Sequence, residues 1–255
     1  MFAVIMNLPF ELVDEIIDHL PEDDKQSLRN CSLVAKSWID PSQRRLFHRV
    51  DIARSNLQSW LDNISPSNAI LLGHVRYLWF EEYHKGEIEP AHRALRDYFP
   101  SFCQLRGLAL HSAHISLESL RIELFSAFQH SLFTISLGCS ITKDAFVTLI
   151  NYFPSLAHIH LHGLDYPTNS GPSPSLSRLL FKSLYITVGP SRTLFLLDEL
   201  SRSGLRFDEV AIASMMEPTW PEFSRRVVEI FGAHTKYLRI HGSFERKYSL
   251  SLPAT

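Results

Sequence analysis

The sequence predicts an α/β protein in two parts: three short helices, then a long array of parallel strands with helices outside. Three observations predict it. Helix start and stop signals crowd the first fifty residues. Beyond them, an apolar-x-x-apolar-x-apolar frame recurs along the chain. Between frames, the apolar spacing switches from the two-residue period of a strand to the 3.6-residue period of a helix. With 255 residues, 45% hydrophobic and 20% charged, the composition is that of a globular protein with room for one small and one larger unit.

The first helix is expected across LPFELVDEIIDHL, Leu8 to Leu20. Pro9 suits a first helical turn, where its missing N–H costs nothing. Glu11, Asp14 and Glu15 lie near the positive end of the helix dipole. Leu12, Ile16 and Leu20 recur every four residues, with Val13 and Ile17 beside them, and Pro21 stops the helix. Asp23 or Asp24 is expected to cap a second helix through KQSLRNCSLVAKSW. Asp40 and Pro41 are expected to open a third over SQRRLF. Three helices in about forty residues sit near the lower size limit for independent folding, so so wide an apolar stripe is expected to pack on a partner or on the rest of the chain.

These residues resemble an F-box. Leu8-Pro9-x-Glu11-Leu12, then Ile16, Leu20, Leu28, the Leu33-Val34 pair, Lys36 and Trp38 follow that family's order and spacing. The resemblance covers residues 5–48, about a fifth of the chain, and Met1 to Ile5 read as an extension of its usual opening. It implies docking on a Skp-family adaptor, and through it on a cullin. By resemblance, Leu8, Pro9, Leu12, Ile16, Leu20, Leu28, Val34 and Trp38 are at or beneath that interface.

Residues 49–255 carry the array. Its frames centre on Val50, Leu78, Leu108, Ile135, Ile159, Leu184, Val210 and Leu238. Their separations are 28, 30, 27, 24, 25, 26 and 28 residues, a repeat length at which neighbouring units must stack to bury their apolar faces. Amphipathic helices are expected in PAHRALRDYFP, SLESLRIELFSAFQH, TKDAFVTLINYFP, SRTLFLLDELSRSG and WPEFSRRVVEIFGAH. Thr142 or Asp144 is a candidate cap, Pro154 a stop and Gly204 a C-terminal turn residue. The Pro/Ser-rich run from Tyr166 to Ser175 reads as a surface loop. The array resembles a degenerate leucine-rich repeat of the loose kind found in fungal F-box proteins. The resemblance implies a solenoid with the parallel sheet on its concave face and helices outside. The usual Asn or Cys of the turn is absent: Tyr83, Ala113, Ser140, Leu164, Gly189 and Met215 take that place. Another α/β arrangement of parallel strands is the alternative, and the final Lys247–Thr255 is expected to be a partial cap or a truncated repeat.

If the frame residues point inward, strand alternation sends the residues between them onto the opposite face. The candidate substrate-binding residues there are Tyr77, Trp79, His111, His158, His160, His162, Tyr185, Tyr237 and Arg239. Tyr, Trp and Arg are the types that dominate protein-binding hot spots. His158, His160 and His162 sit on one side of a strand, about 6.5 to 7 Å apart, and two of them invite a shared metal with His111 on the neighbouring repeat. No HExxH or acidic partner accompanies them, so neutral histidines on a sheet face are expected, with no metal and no cofactor. GxGxxG, GxxxxGK[ST] and GxSxG are absent, and no catalytic residue is expected.

The net charge of −2 offers no basic surplus for nucleic acid. No apolar run reaches the length of a membrane span, and the N-terminus lacks the charged flank of a signal peptide. Cys31, Cys103 and Cys139 are too few and too far apart for a disulfide framework and are expected to be buried or inert. A cytoplasmic or nuclear protein is expected. The functional expectation is a non-catalytic substrate-recruiting subunit of a cullin-type ubiquitin ligase, binding an adaptor through its helices and a protein substrate through its sheet. The alternatives are a stand-alone repeat scaffold and a metal hydrolase built on the histidines.

Overall fold

The computed structural model describes residues 8–21, 23–63, 69–82, 97–116, 122–140, 143–162, 180–187, 200, 204–214 and 220–242. Helices α1 (Phe10–Asp18), α2 (Lys25–Ser32) and α3 (Lys36–Leu46) open the fold. Pro9 is the N-cap of α1 rather than its first helical residue. Asp24 caps α2, accepting a 3.0 Å hydrogen bond from the backbone N–H of Ser27. Burial of Val13, Ile17, Leu28 and Trp38 gives this unit a small core of its own, with Leu8, Leu20 and Leu46 packed on it.

The third helix differs from expectation. It begins at Lys36, after a break at Leu33 to Ala35, and runs straight through Asp40-Pro41. Burial decides: Trp38, Pro41 and Ser42 all turn inward along one stretch of α3, which offsets the single backbone bond that Pro41 removes. Asp40 therefore caps nothing. It pairs with Arg44 at 3.1 Å and lies 3.8 Å from His74.

The remainder is α/β, with one eight-stranded parallel sheet whose strands follow sequence order. The strands are β1 (Arg49–Ala53), β2 (Tyr77–Glu82), β3 (Gly107–Ser116) and β4 (Thr134–Ser140). They continue as β5 (His158–His162), β6 (Leu180–Thr187), β7 (Arg206–Ser214) and β8 (Tyr237–Gly242). The frame centres fall in one register row: Val50, Leu78, Leu108, Ile135, Ile159, Leu184, Val210 and Leu238 pair strand to strand. The second row, from Ile52 through Phe80, Leu110, Leu137, Leu161, Ile186 and Ile212 to Ile240, is buried throughout.

Both rows face a continuous core that also takes Phe146, Leu149 and Ile150 of α5 (Lys143–Tyr152) and Phe223, Val227 and Phe231 of α6 (Trp220–Phe231). Among the described residues, helices thus cover one face of the sheet and leave the other open. Gly232 follows α6 at a position where a Cβ would meet the Val228 carbonyl oxygen at 2.6 Å, so no larger residue fits there without a shift. Gly204 takes φ 74°, the left-handed turn anticipated for it.

The connections depart from expectation in several places. Where SLESLRIELFSAFQH is described, it holds a 3-10 helix over Ile122–Phe128 instead of the expected amphipathic α-helix. Phe125 and Phe128, three residues apart, then share one face and pack with Phe99 and Phe153 at centroid distances of 5.5 to 6.2 Å. Asp144 lies inside the first turn of α5 rather than capping it, and Thr142, the other candidate cap, lies outside the described residues. Between β1 and β2, helix α4 (Arg54–Asn63) and a 3-10 turn (Ala69–His74) occupy a stretch for which no helix was expected. The helices anticipated in PAHRALRDYFP and SRTLFLLDELSRSG, the Tyr166–Ser175 loop and the C-terminal tail lie largely or wholly outside the described residues. No helix is long and apolar enough to cross a membrane among the described residues. Cys139 is buried, with its thiol pushed up to about 12 by desolvation, and Cys31 is half-buried, whereas Cys103 is exposed.

Candidate functional site

The open face consists of the residues between the frame positions, and the register fixes their order. One row runs Asp51, Trp79, Ala109, Ser136, His160, Tyr185, Ala211, Arg239. A second runs Arg49, Tyr77, Gly107, Thr134, His158, Ser183, Glu209, Tyr237. A third brings Glu81, His111 and Gly138 side by side, and His162 pairs with Thr187 beyond them.

Five of the expected residues form one chain of rings. Trp79 meets His111 at 4.5 Å, His111 meets His162 at 4.7 Å, and His162 and His160 meet Tyr185 at 5.9 and 5.7 Å. The Arg49 guanidinium caps the near end, 5.8 Å from the Trp79 ring. His111 and His162 touch although a whole strand separates them, so His111 belongs to the next strand but one rather than to the neighbouring repeat. Gly138 is the reason. A Cβ there would sit 3.2 Å from His111 Cγ and 3.3 Å from the His162 carbonyl oxygen, so the missing side chain lets the rings close over it.

Two of the imidazoles are held by neutral partners. His111 Nε2 shares a 2.8 Å hydrogen bond with Ser136 Oγ, and His158 Nδ1 a 2.6 Å bond with Ser183 Oγ. Burial lowers the pKa of His111 and His160, and neighbouring histidines lower it further. Burial, then the charge of His111, holds His162 at about 4. Burial and Lys182 lower His158. The cluster is therefore uncharged near neutrality. Among the described residues, no three His, Cys, Asp or Glu side chains are grouped so as to hold a metal ion.

The other expected residues stand apart. Tyr77 lies against Gly107, where a Cβ would meet its Cδ1 at 2.5 Å, and packs edge-on to His48 at 5.2 Å. Tyr237 and Arg239 lie on β8, three strands from β5, where Arg239 reaches Glu209 at 3.9 Å. Sequence reasoning passed over the small residues. Gly107, Ala109, Thr134 and Ser136 on β3 and β4 lie between the rings of β2 and the imidazoles of β5 and open a trough of about 610 Å³. The signal was present in the alternation: β3 and β4 both present small residues where β2 and β5 present large ones.

The helical unit has a second surface. Leu12, Ile16 and Val34 are 45%, 41% and 39% exposed, and Phe10, Leu33 and Ile39 join them. Pro9 is exposed, and Leu8 and Leu20 are half-buried. Leu28 and Trp38 are buried in the small core and lie beneath that surface rather than on it. Compared with models of known protein families and with curated proteins, the chain matches none.

Proposed function

We propose that the protein recruits substrates to a cullin-type ubiquitin ligase, its helical unit docking as an F-box on a Skp-family adaptor and its sheet holding a protein substrate. The observation that carries this reading is the exposed apolar set on α1 and around the α2–α3 link. Of the large hydrophobic side chains that are exposed, Phe10, Leu12, Ile16, Leu33, Val34 and Ile39 fall within these thirty residues. A unit with so small a core does not expose that much apolar surface without a use for it. The F-box pattern of the sequence names the use. The uniform sheet supports the array as a leucine-rich-repeat solenoid: each strand pairs parallel to the next and the repeat centres stay in register. Substrate binding is assigned to its open, concave face, and the chain supplies proximity and orientation while the ligase core supplies the chemistry.

Co-purification with a Skp-family adaptor tests the proposal. Leu12→Asp/Ile16→Asp changes side chains that point away from Val13 and Ile17, so the fold is retained. The wild type is expected to form a one-to-one complex, and the variant to lose it by a hundredfold or more in affinity, about 3 kcal/mol. A well-folded wild type that fails to bind sinks the adaptor reading and leaves a stand-alone scaffold.

A further inference from the structure

The trough on the open face carries information about its occupant, and this inference rests on reading that face as the substrate-binding surface. Its width follows from register. Trp79 and Tyr77 on β2 form one bank and His160 and His162 on β5 the other, Ala109, Gly107, Ser136 and Thr134 form the floor, and His111, in ring contact with both Trp79 and His162, closes one end. Three strand spacings put the banks about 14 Å apart, backbone to backbone. The rings on both banks reduce that gap below the roughly 10 Å a helix needs. One planar side chain fits.

Charge narrows the choice. The basic groups lining the trough are His48, Arg49, His160 and His162, and among the described residues no carboxylate lines it. The carboxylates nearest the face lie outside the trough. Asp51 reaches Arg49 at 2.9 Å in an exposed pair, Glu81 is paired in register with His111, and Glu209 faces Arg239 and His158. Lys182 beside His158 adds further positive charge, and the flanking groups Tyr185, Ser183 and Thr187 are neutral. His111, His160 and His162 each oppose the protonation of another. An anionic group placed among them would relieve that repulsion.

We propose that the trough binds the aromatic side chain of an extended acidic peptide segment. The ring lies between Trp79 and His160, over Ala109 and Ser136, with His111 and His162 closing one end, and a flanking carboxylate lies against Arg49 and His160. Binding then draws protons onto the imidazoles, because the bound carboxylate raises their pKa values above those of the free protein. Affinity therefore rises as pH falls from about 7.5 to 6.

Calorimetric titration of the full chain with acetyl-Gly-Asp-Trp-Asp-Gly-amide tests this, run in two buffers of different ionisation heat to count protons. Saturable binding with net proton uptake is expected. Replacing the peptide's Trp by Leu should weaken binding at least tenfold, and replacing both Asp by Asn should weaken it and abolish the uptake. Ala109→Phe, which fills the floor, and Arg49→Gln, at an exposed position that leaves the fold intact, should each reduce affinity severalfold. The proposal is overturned if the peptide does not bind the folded chain, or if the Leu or Asn peptides bind as well. Equal or tighter binding of adenosine, or of N-acetyl-tryptophan alone, also overturns it, since the occupant is then not a peptide. Adaptor binding is measured separately through Leu12 and Ile16. An adaptor complex that ignores the peptide sinks only this inference, and peptide binding without an adaptor complex sinks only the ligase reading.

Discussion

His162 concentrates the electrostatics of the open face. Its folded pKa of about 4 lies below the ordinary histidine value of 6.5. The unfolded chain therefore takes up a proton first as pH falls, and stability is lost through the window between those two values. Because the ring is partly exposed, solvent screening limits the loss to about 1 to 2 kcal/mol. Urea unfolding from pH 7 to 4.5 is expected to show that decline, and His162→Gln to reduce its slope. A slope unchanged in the variant would place the titration elsewhere. The neighbouring Gly138 sets the same geometry, since a β-carbon there would press His111 away from His162.

At the scale of single elements, α2 offers the cleanest test. It has eight residues and one side-chain cap, the Ser27 N–H to Asp24 bond; hydrogen bonds from the Ser27 side chain and then from its backbone N–H hold the Asp24 carboxyl below its usual range. Asp24→Ala is expected to lower the denaturant midpoint of unfolding, and Asp24→Asn, which keeps a capping oxygen, to lower it less. Asp24 was readable as a cap from sequence, as were the strands, because alternation with period two admits one register in which every frame residue turns inward. The α4 helix was not readable. RSNLQSWLDN has no strong apolar stripe. Its start is organised by Asn56, whose side-chain oxygen accepts from the Ala53 N–H at 2.8 Å and whose amide donates to the Asp51 carbonyl at 2.9 Å. The 3-10 turn at Ile122–Phe128 was hidden for a related reason: packing of Phe125 and Phe128 against Phe99 and Phe153 outweighs the helical pattern. On the open face the aromatic and imidazole residues were legible one by one. The trough was not, because a cavity is made by what β3 and β4 lack.

Across the whole molecule, one core runs from Ile52 to Ile240, while Val13, Ile17, Leu28 and Trp38 form a second. Phe153 sits at the centre of the larger one, fully buried against Phe125 and Phe128. Phe153→Ala is expected to cost about 3 to 5 kcal/mol, and hydrogen exchange should show protection falling in β2 and β8 together. Loss confined to β4 and β5 would mean that the strands unfold independently. Strand order adds a consequence in time. Every strand pairs with the one made just before it, so no partner has to wait for a distant stretch of chain. At about 5 to 20 residues per second, the sheet can grow at its edge over roughly 10 to 40 seconds of synthesis. The three helices are finished before its first strand, so they are available to a partner while the rest of the protein is still on the ribosome.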